Sequence, residues 1–158
     1  MRTALALLLT LVTAPLAHAA GGGPVAMPPT PPGRTPAVSA EARYTDGETF
    51  ANRQDWPHAE AAYREATALR ASFPQAWNGL GHALKMQRRF PEALQAYQRA
   101  LELRPNFPQA LEYLGETYVA MGKQDDARST LARLKPLDAR LADTLQRAID
   151  EKTTGGGW

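Results

Sequence analysis

The residues able to do chemistry in this chain are few, and their spacing assembles none of the familiar constellations. Of the three histidines, His18 sits in an apolar N-terminal stretch. His58 and His82 fall in separate segments, with no carboxylates or thiols at metal-ligand spacing. Cysteine is absent, so neither a thiol nucleophile nor a thiolate ligand is available. Ser39, Ser72 and Ser129 fall in a linker, a turn and a helical segment, none of them in a nucleophile elbow. Gly79-x-Gly81 and Gly21-Gly22-Gly23 are not phosphate loops, because no strand precedes them and no Gly-Lys-Ser/Thr follows. No catalytic, cofactor or metal site is expected and the chain is not read as an enzyme. What remains is recognition, which needs a surface held in place by folded elements.

Those elements announce themselves by repetition. Phe73-Pro74-Gln75-Ala76 recurs 34 residues later as Phe107-Pro108-Gln109-Ala110, and Leu80-Gly81 recurs at the same interval as Leu114-Gly115. A fixed period of this size marks stacked supersecondary units that cannot bury their apolar faces alone. Ala76, Trp77, Leu80, Ala83 and Leu84 follow helical spacing, as do Ala93, Leu94, Tyr97, Ala100 and Leu101. Trp56-Pro57, Phe73-Pro74, Phe90-Pro91 and Phe107-Pro108 stand at the breaks. Proline at the first helical position gives up only an N–H that has no partner there. No run of alternating β-branched residues suggests a strand, and the fold class is all-α.

The ends read differently. Arg2, an apolar run over 4–11 that extends through Val12, and Ala17-His18-Ala19 make a secretory signal over 1–19, cut after Ala19. The apolar run falls short of the roughly 20 residues a membrane-spanning helix needs, so no span is expected after cleavage. Pro24, Pro28, Pro29, Pro31, Pro32 and Pro36 make 20–39 a disordered linker, and 153–158 is a flexible tail. The protein is therefore expected to be exported, to a periplasm or beyond. Export would permit disulfides, but without cysteine the stability must come from packing. With 18 Lys+Arg against 16 Asp+Glu, one of the bases being Arg2, no clustered basic face supports nucleic-acid binding.

Three units fit the 34-residue frame, at about 40–73, 74–107 and 108–141. Gly47, Gly81 and Gly115 coincide, as do Ala59, Ala93 and Ala127, Tyr63 and Tyr97, and Ala66 and Ala100. The middle unit, Trp77-x-x-Leu80-Gly81 followed by Ala93, Tyr97, Ala100 and Pro105, resembles the tetratricopeptide repeat (TPR) consensus, with Leu84 where the family prefers Tyr. The resemblance covers about 100 of the 158 residues and implies a right-handed superhelical stack of three helical hairpins. The glycines and alanines in register are expected to let paired helix backbones approach closely. Trp77, Leu80, Leu84, Tyr97, Leu111, Leu114 and Tyr118 are expected to fill the layer between hairpins. Arg43 and Asp46 stand where the family places Trp and Leu, so the first unit is expected to be a polar cap. Pro136 should end the third unit early. Asp138 should then N-cap a closing helix over about 138–151, with Leu141, Leu145, Ala148 and Ile149 on one face, which completes the domain over 40–152.

The resemblance also implies that the first helix of each pair lines a concave groove for an extended peptide or partner protein. Projected onto this chain, the partner-binding residues are Tyr44, Glu48, Asn52, Asn78, His82, Lys85, Glu112 and Glu116, with Glu41, Gln75, Met86, Gln109 and Val119 alongside. Some members clamp a C-terminal carboxylate with Lys, Asn and Arg. Here those places hold Tyr44, Glu48, Gly79, Gln109 and Tyr113, so chaperone tails are not the expected ligand. Glu41, Glu48, Glu112 and Glu116 against Lys85 suggest an acidic groove and a basic partner. The implied role is a non-enzymatic interaction module or scaffold in the cell envelope. Alternatives are an assembly factor for one envelope process, such as outer-membrane biogenesis or cytochrome maturation, and a structural subunit of an obligate complex.

Overall fold

A computed structural model of the chain describes residues 38–154. The signal sequence expected at 1–19, most of the linker at 20–39 and most of the tail at 153–158 lie outside the described residues. Among the described residues there are seven helices and no strand. They are α1 (Ala40–Asn52), α2 (Trp56–Leu69), α3 (Pro74–Met86), α4 (Phe90–Leu103), α5 (Pro108–Ala120), α6 (Gln124–Leu134) and α7 (Ala139–Thr154). Pro74 and Pro108 occupy the first position of their helices. Pro57 and Pro91 come second, because Trp56 and Phe90 are already helical. Either place lies within the first turn, where the missing N–H costs nothing. Ser39 caps α1 by accepting from Ala42 N at 3.1 Å, and Asp138 caps α7 by accepting from Leu141 N at 3.0 Å.

The three hairpins, α1–α2, α3–α4 and α5–α6, turn in the same way. Asp55 N, Arg89 N and Lys123 N reach back to the carbonyls of Phe50, Leu84 and Tyr118. Beneath each bond a left-handed residue reverses the chain: Gln54 (φ 59°), Arg88 (φ 63°) and Gly122 (φ 74°). This is the Schellman arrangement, which satisfies the last helical carbonyls. Only the third unit uses the residue that favours it.

Contacts between hairpins set the curvature. The α1 backbone packs on α3 and that of α3 on α5, whereas the α2 and α4 backbones stay apart and meet through the Arg64 and Glu92 side chains, 3.6 Å apart. The first helices therefore crowd together on the inner side of the stack and the second helices splay on the outer side. α7 continues the inner row against α5 and also packs on α6.

The glycines in register accommodate rings. A Cβ on Gly47 or Gly81 would come within 2.6 Å of the ring of Tyr63 or Tyr97, respectively. Each tyrosine sits on the second helix of its own hairpin, so the expected close approach is of side chain to backbone. Tyr63 is also wedged against the next hairpin, since a Cβ on Gly79 would come within 2.7 Å of the same ring. In the third unit Leu131 replaces the tyrosine, and Gly115 instead receives Leu145 of α7, whose Cδ2 would lie 2.4 Å from an added Cβ. Leu84, Tyr97, Leu111, Leu134, Leu145 and Ile149 are fully enclosed. Trp77 and Tyr118, expected in that layer, are half-buried; the Trp77 indole N–H reaches the Ala71 carbonyl at 2.8 Å. Both ends are polar: Arg43 pairs with Asp46 (3.2 Å) and Glu65 (2.8 Å), and α7 presents Asp143 and Arg147 to solvent. Among the described residues no helix is long and apolar enough to cross a membrane.

Candidate functional cleft

A cleft of about 520 Å³ opens on the inner side of the stack. α1 contributes Tyr44, Glu48, Ala51 and Asn52, and α2 contributes Trp56 and Tyr63. α3 adds Gln75, Asn78, Gly79 and His82, and Gln109 and Tyr113 come from α5, with Arg104 and Phe107 just before it. Residues spaced by three or four along one helix face fall on one side, which is why α1 and α3 each deliver a row.

The aromatic part falls into two groups. Tyr44 and Tyr63 have ring centroids 5.7 Å apart, and Tyr44 lies 5.1 Å from Phe73. His82 lies flat on Tyr113 at 4.7 Å and meets Trp56 edge-on at 5.3 Å. Burial depresses the His82 imidazole, and neighbouring Lys85 adds to the shift while Glu116 opposes it, so the ring favours its neutral form. The Tyr44 hydroxyl donates to Glu48 Oε1 at 2.7 Å. Burial and then the Glu48 carboxylate raise both phenols, Tyr63 to about 12, and both stay neutral.

Four carboxamides complete the lining: Asn52, Gln75, Asn78 and Gln109. No side-chain hydrogen bond to another described residue occupies any of them, and Asn78 Oδ1 is screened from solvent without a partner. A carboxamide offers two donors and an acceptor, so each can pair with a peptide group.

Five of the eight projected residues, Tyr44, Glu48, Asn52, Asn78 and His82, line this one cleft. Lys85, Glu112 and Glu116 do not. Lys85 forms an ion pair with Glu116 across α3 and α5, its Nζ 5.1 Å from the Tyr113 ring centre. Glu112 is 8% exposed, and burial followed by the Glu116 charge raises its carboxyl pKa. Glu41 is paired with Arg70, Met86 is exposed and Val119 is buried. Of the four carboxylates projected into the groove, only Glu48 lines the cleft, so the acidic groove contracts to a single charge. The pairing partners of Glu41 and Glu116 lie 29 and 31 residues away in sequence, beyond any local pattern, and Glu112 is withdrawn by burial.

The projection passed over Trp56, Tyr63, Phe107, Tyr113 and Arg104 as groove residues. A signal for Arg104 was present in the repeat. Arg70-x-x-Phe73 recurs as Arg104-x-x-Phe107, and each guanidinium lies over its phenylalanine, at 3.7 and 4.7 Å from the ring centres. One unit after Glu41 stands Gln75, so Arg104 keeps its stacking but has no carboxylate partner among the described residues. No group of three or more potential metal-binding side chains occurs among the described residues.

Tetratricopeptide repeat models match residues 74–107 and 96–129, the first being the middle unit in its own frame. No curated protein matches the sequence. Solved structures do. The TPR2B domain of yeast Sti1, described in complex with pHsp70, is 26% identical with a TM-score of 0.68, over 72% of this chain and 97% of that one. The TPR2AB domain of yeast Sti1, described in complex with pHSP90, is 26% identical with a TM-score of 0.67, over 70% of this chain. This chain spans less than half of it, 46% of its length. The TPR domain of Arabidopsis OM64 shares the fold at 16% identity, with a TM-score of 0.68 over 72% of this chain and 95% of that one. The architecture is thus an all-α TPR solenoid.

Proposed function

We propose that this protein is a non-enzymatic interaction module that binds an extended segment of a partner protein in the inner cleft. The observation that carries the reading is the set of four carboxamides, drawn from three neighbouring helices into one cleft and left without side-chain partners among the described residues. Asn78 Oδ1 is screened from solvent with no partner, which costs about 1–3 kcal/mol that a bound peptide N–H would relieve, and the exposed Asn52, Gln75 and Gln109 can exchange water for peptide groups. The aromatic rings beside them offer apolar area for the peptide's side chains. The complexes of the Sti1 domains with pHsp70 and pHSP90 support partner binding by this kind of fold. The ligand here must differ from one gripped by a carboxylate clamp, since Tyr44, Glu48, Gly79, Gln109 and Tyr113 occupy the clamp places. The leader-like stretch at 1–19 supports a site of action outside the cytoplasm, in the cell envelope or secreted.

Photocrosslinking in the native compartment tests the reading. A photoreactive residue at exposed Gln75 or Gln109, on the cleft rim, should trap a discrete partner. The same residue at exposed Gln95 of α4 serves as control. Adducts from Gln95 alone would sink the cleft as the binding surface.

A further inference from the structure

The charges around the cleft are almost all spent internally. Lys85 is paired with Glu116, Glu41 with Arg70, and Glu60 with Arg64 and Arg89. Glu48 is the exception on the acidic side. Its carboxylate accepts one hydrogen bond, from the neutral Tyr44 hydroxyl, and no base pairs with it among the described residues. A carboxylate has about four lone-pair sites, so most of its capacity faces the cleft.

Its surroundings are aromatic. The Tyr44 and Tyr63 rings stand 5.7 Å apart at 49°, and both phenols are held neutral beside the carboxylate. Gly79 lines the same part of the cleft, and an added Cβ there would come within 2.7 Å of the Tyr63 ring. Tyr63 fills the space beside Gly79 and is 4% exposed, so it makes the floor of this part of the cleft while Tyr44 is the more open ring. A lone carboxylate beside the Tyr44 ring is complementary to an ammonium or guanidinium, which gains Coulomb attraction and cation–π contact together. Arg104, the unpaired cation of the lining, belongs to the segment leading into α5, whereas Glu48 lies on α1. The cleft therefore carries opposite charges on opposite walls.

We infer that Glu48 and Tyr44, above the floor made by Tyr63 and Gly79, form a subsite for one cationic side chain, lysine or arginine, of the bound peptide. This rests on the peptide-binding reading above and reverses the sign of a carboxylate clamp at the same places.

The test uses the full chain labelled with 15N and a set of acetylated, amidated octapeptides of Ala and Ser. A central position is varied among lysine, arginine, norleucine and glutamate. Acetylation removes the terminal amine as a competing cation. The lysine or arginine peptide should bind at least roughly fivefold more tightly than the norleucine peptide, with shifts centred on Glu48 and Gly79. In Glu48→Gln, which keeps the side chain's shape, that preference should collapse while norleucine-peptide binding persists. Equal binding of lysine, arginine and norleucine peptides in the wild type would overturn the subsite and leave the peptide cleft standing. A preference that survives Glu48→Gln would overturn the subsite as well. No shift at Asn78 or Gln109 with any of the peptides would overturn the cleft reading and the subsite with it.

Discussion

His82 shows how one side chain couples the cleft to the protein's stability. The groups facing it are Trp56 from α2, Lys85 on its own helix, and Tyr113 and Glu116 from α5. Burial lowers its folded pKa below the ordinary value near 6.5, so the unfolded chain binds this proton more readily. The stabilisation is complete above pH 6.5 and is lost as pH falls through that value toward the folded pKa. Glu112 works in the opposite direction, because its carboxyl is raised above 4.5 by burial and then Glu116. Its stabilisation is complete below 4.5 and fades as pH rises toward the folded value. Urea denaturation should therefore show the midpoint falling further from pH 7.5 to pH 5.5 in the wild type than in His82→Gln, where this pH difference is diminished. An undiminished difference in that variant would place the titrating group elsewhere.

At the scale of an element, a helix here is held by what its glycine receives. Gly81→Ala should gain up to about 1 kcal/mol in helix propensity but lose roughly 1–3 kcal/mol to overpacking, since the new methyl meets the enclosed Tyr97 ring at 2.6 Å. The net change should be destabilising. Combining Gly81→Ala with Tyr97→Leu, the pairing the third unit approaches with Leu131, should cost less than the two single changes summed. A double-mutant cycle measured by chemical denaturation checks this coupling. The sequence's period placed these glycines, the seven helices and the Asp138 cap, because those depend on spacing within a unit. Spacing does not say which atom fills the gap a glycine leaves, so the ring of Tyr63 between Gly47 and Gly79 was read as backbone approach. Nor does it reveal that Gln54 and Arg88 adopt the left-handed turn, although Gly122 in register hinted at it. In the cleft, the α1 and α3 rows were legible through the family's groove positions projected onto the repeat frame. Trp56, Tyr63 and Arg104 were not, because they come from outside the first helices. The pairing of Lys85 with Glu116 joins two hairpins and leaves no local trace.

At the largest scale the described residues form a short stack whose two ends are closed differently, and that difference decides its response to truncation. At the first end, Arg43, Asp46 and Glu65 form an exposed ion-pair cluster, which contributes little energy but exposes no apolar face. At the other end α7 does the closing with packing: Ala142, Leu145 and Ile149 are almost wholly buried against α5 and α6. Burying a leucine or isoleucine contributes about 1.5–3 kcal/mol, so α7 supplies a large part of a typical net stability of 5–15 kcal/mol. In a repeat stack stability passes between nearest neighbours, so loss at one end propagates inward. Leu145→Ala should destabilise by about 2–5 kcal/mol, because Gly115 has no side chain with which to close the cavity. A chain stopped after Leu137 should go further. It would expose Leu131, Leu134 and the Gly115 face to solvent, the kind of apolar patch that associates. Sedimentation equilibrium should find the chain freed of its leader-like stretch monomeric, since both ends of the stack are polar, and the same chain stopped after Leu137 self-associated or unfolded. A shortened chain that stays monomeric with unchanged denaturation would show that the third hairpin closes the stack without α7.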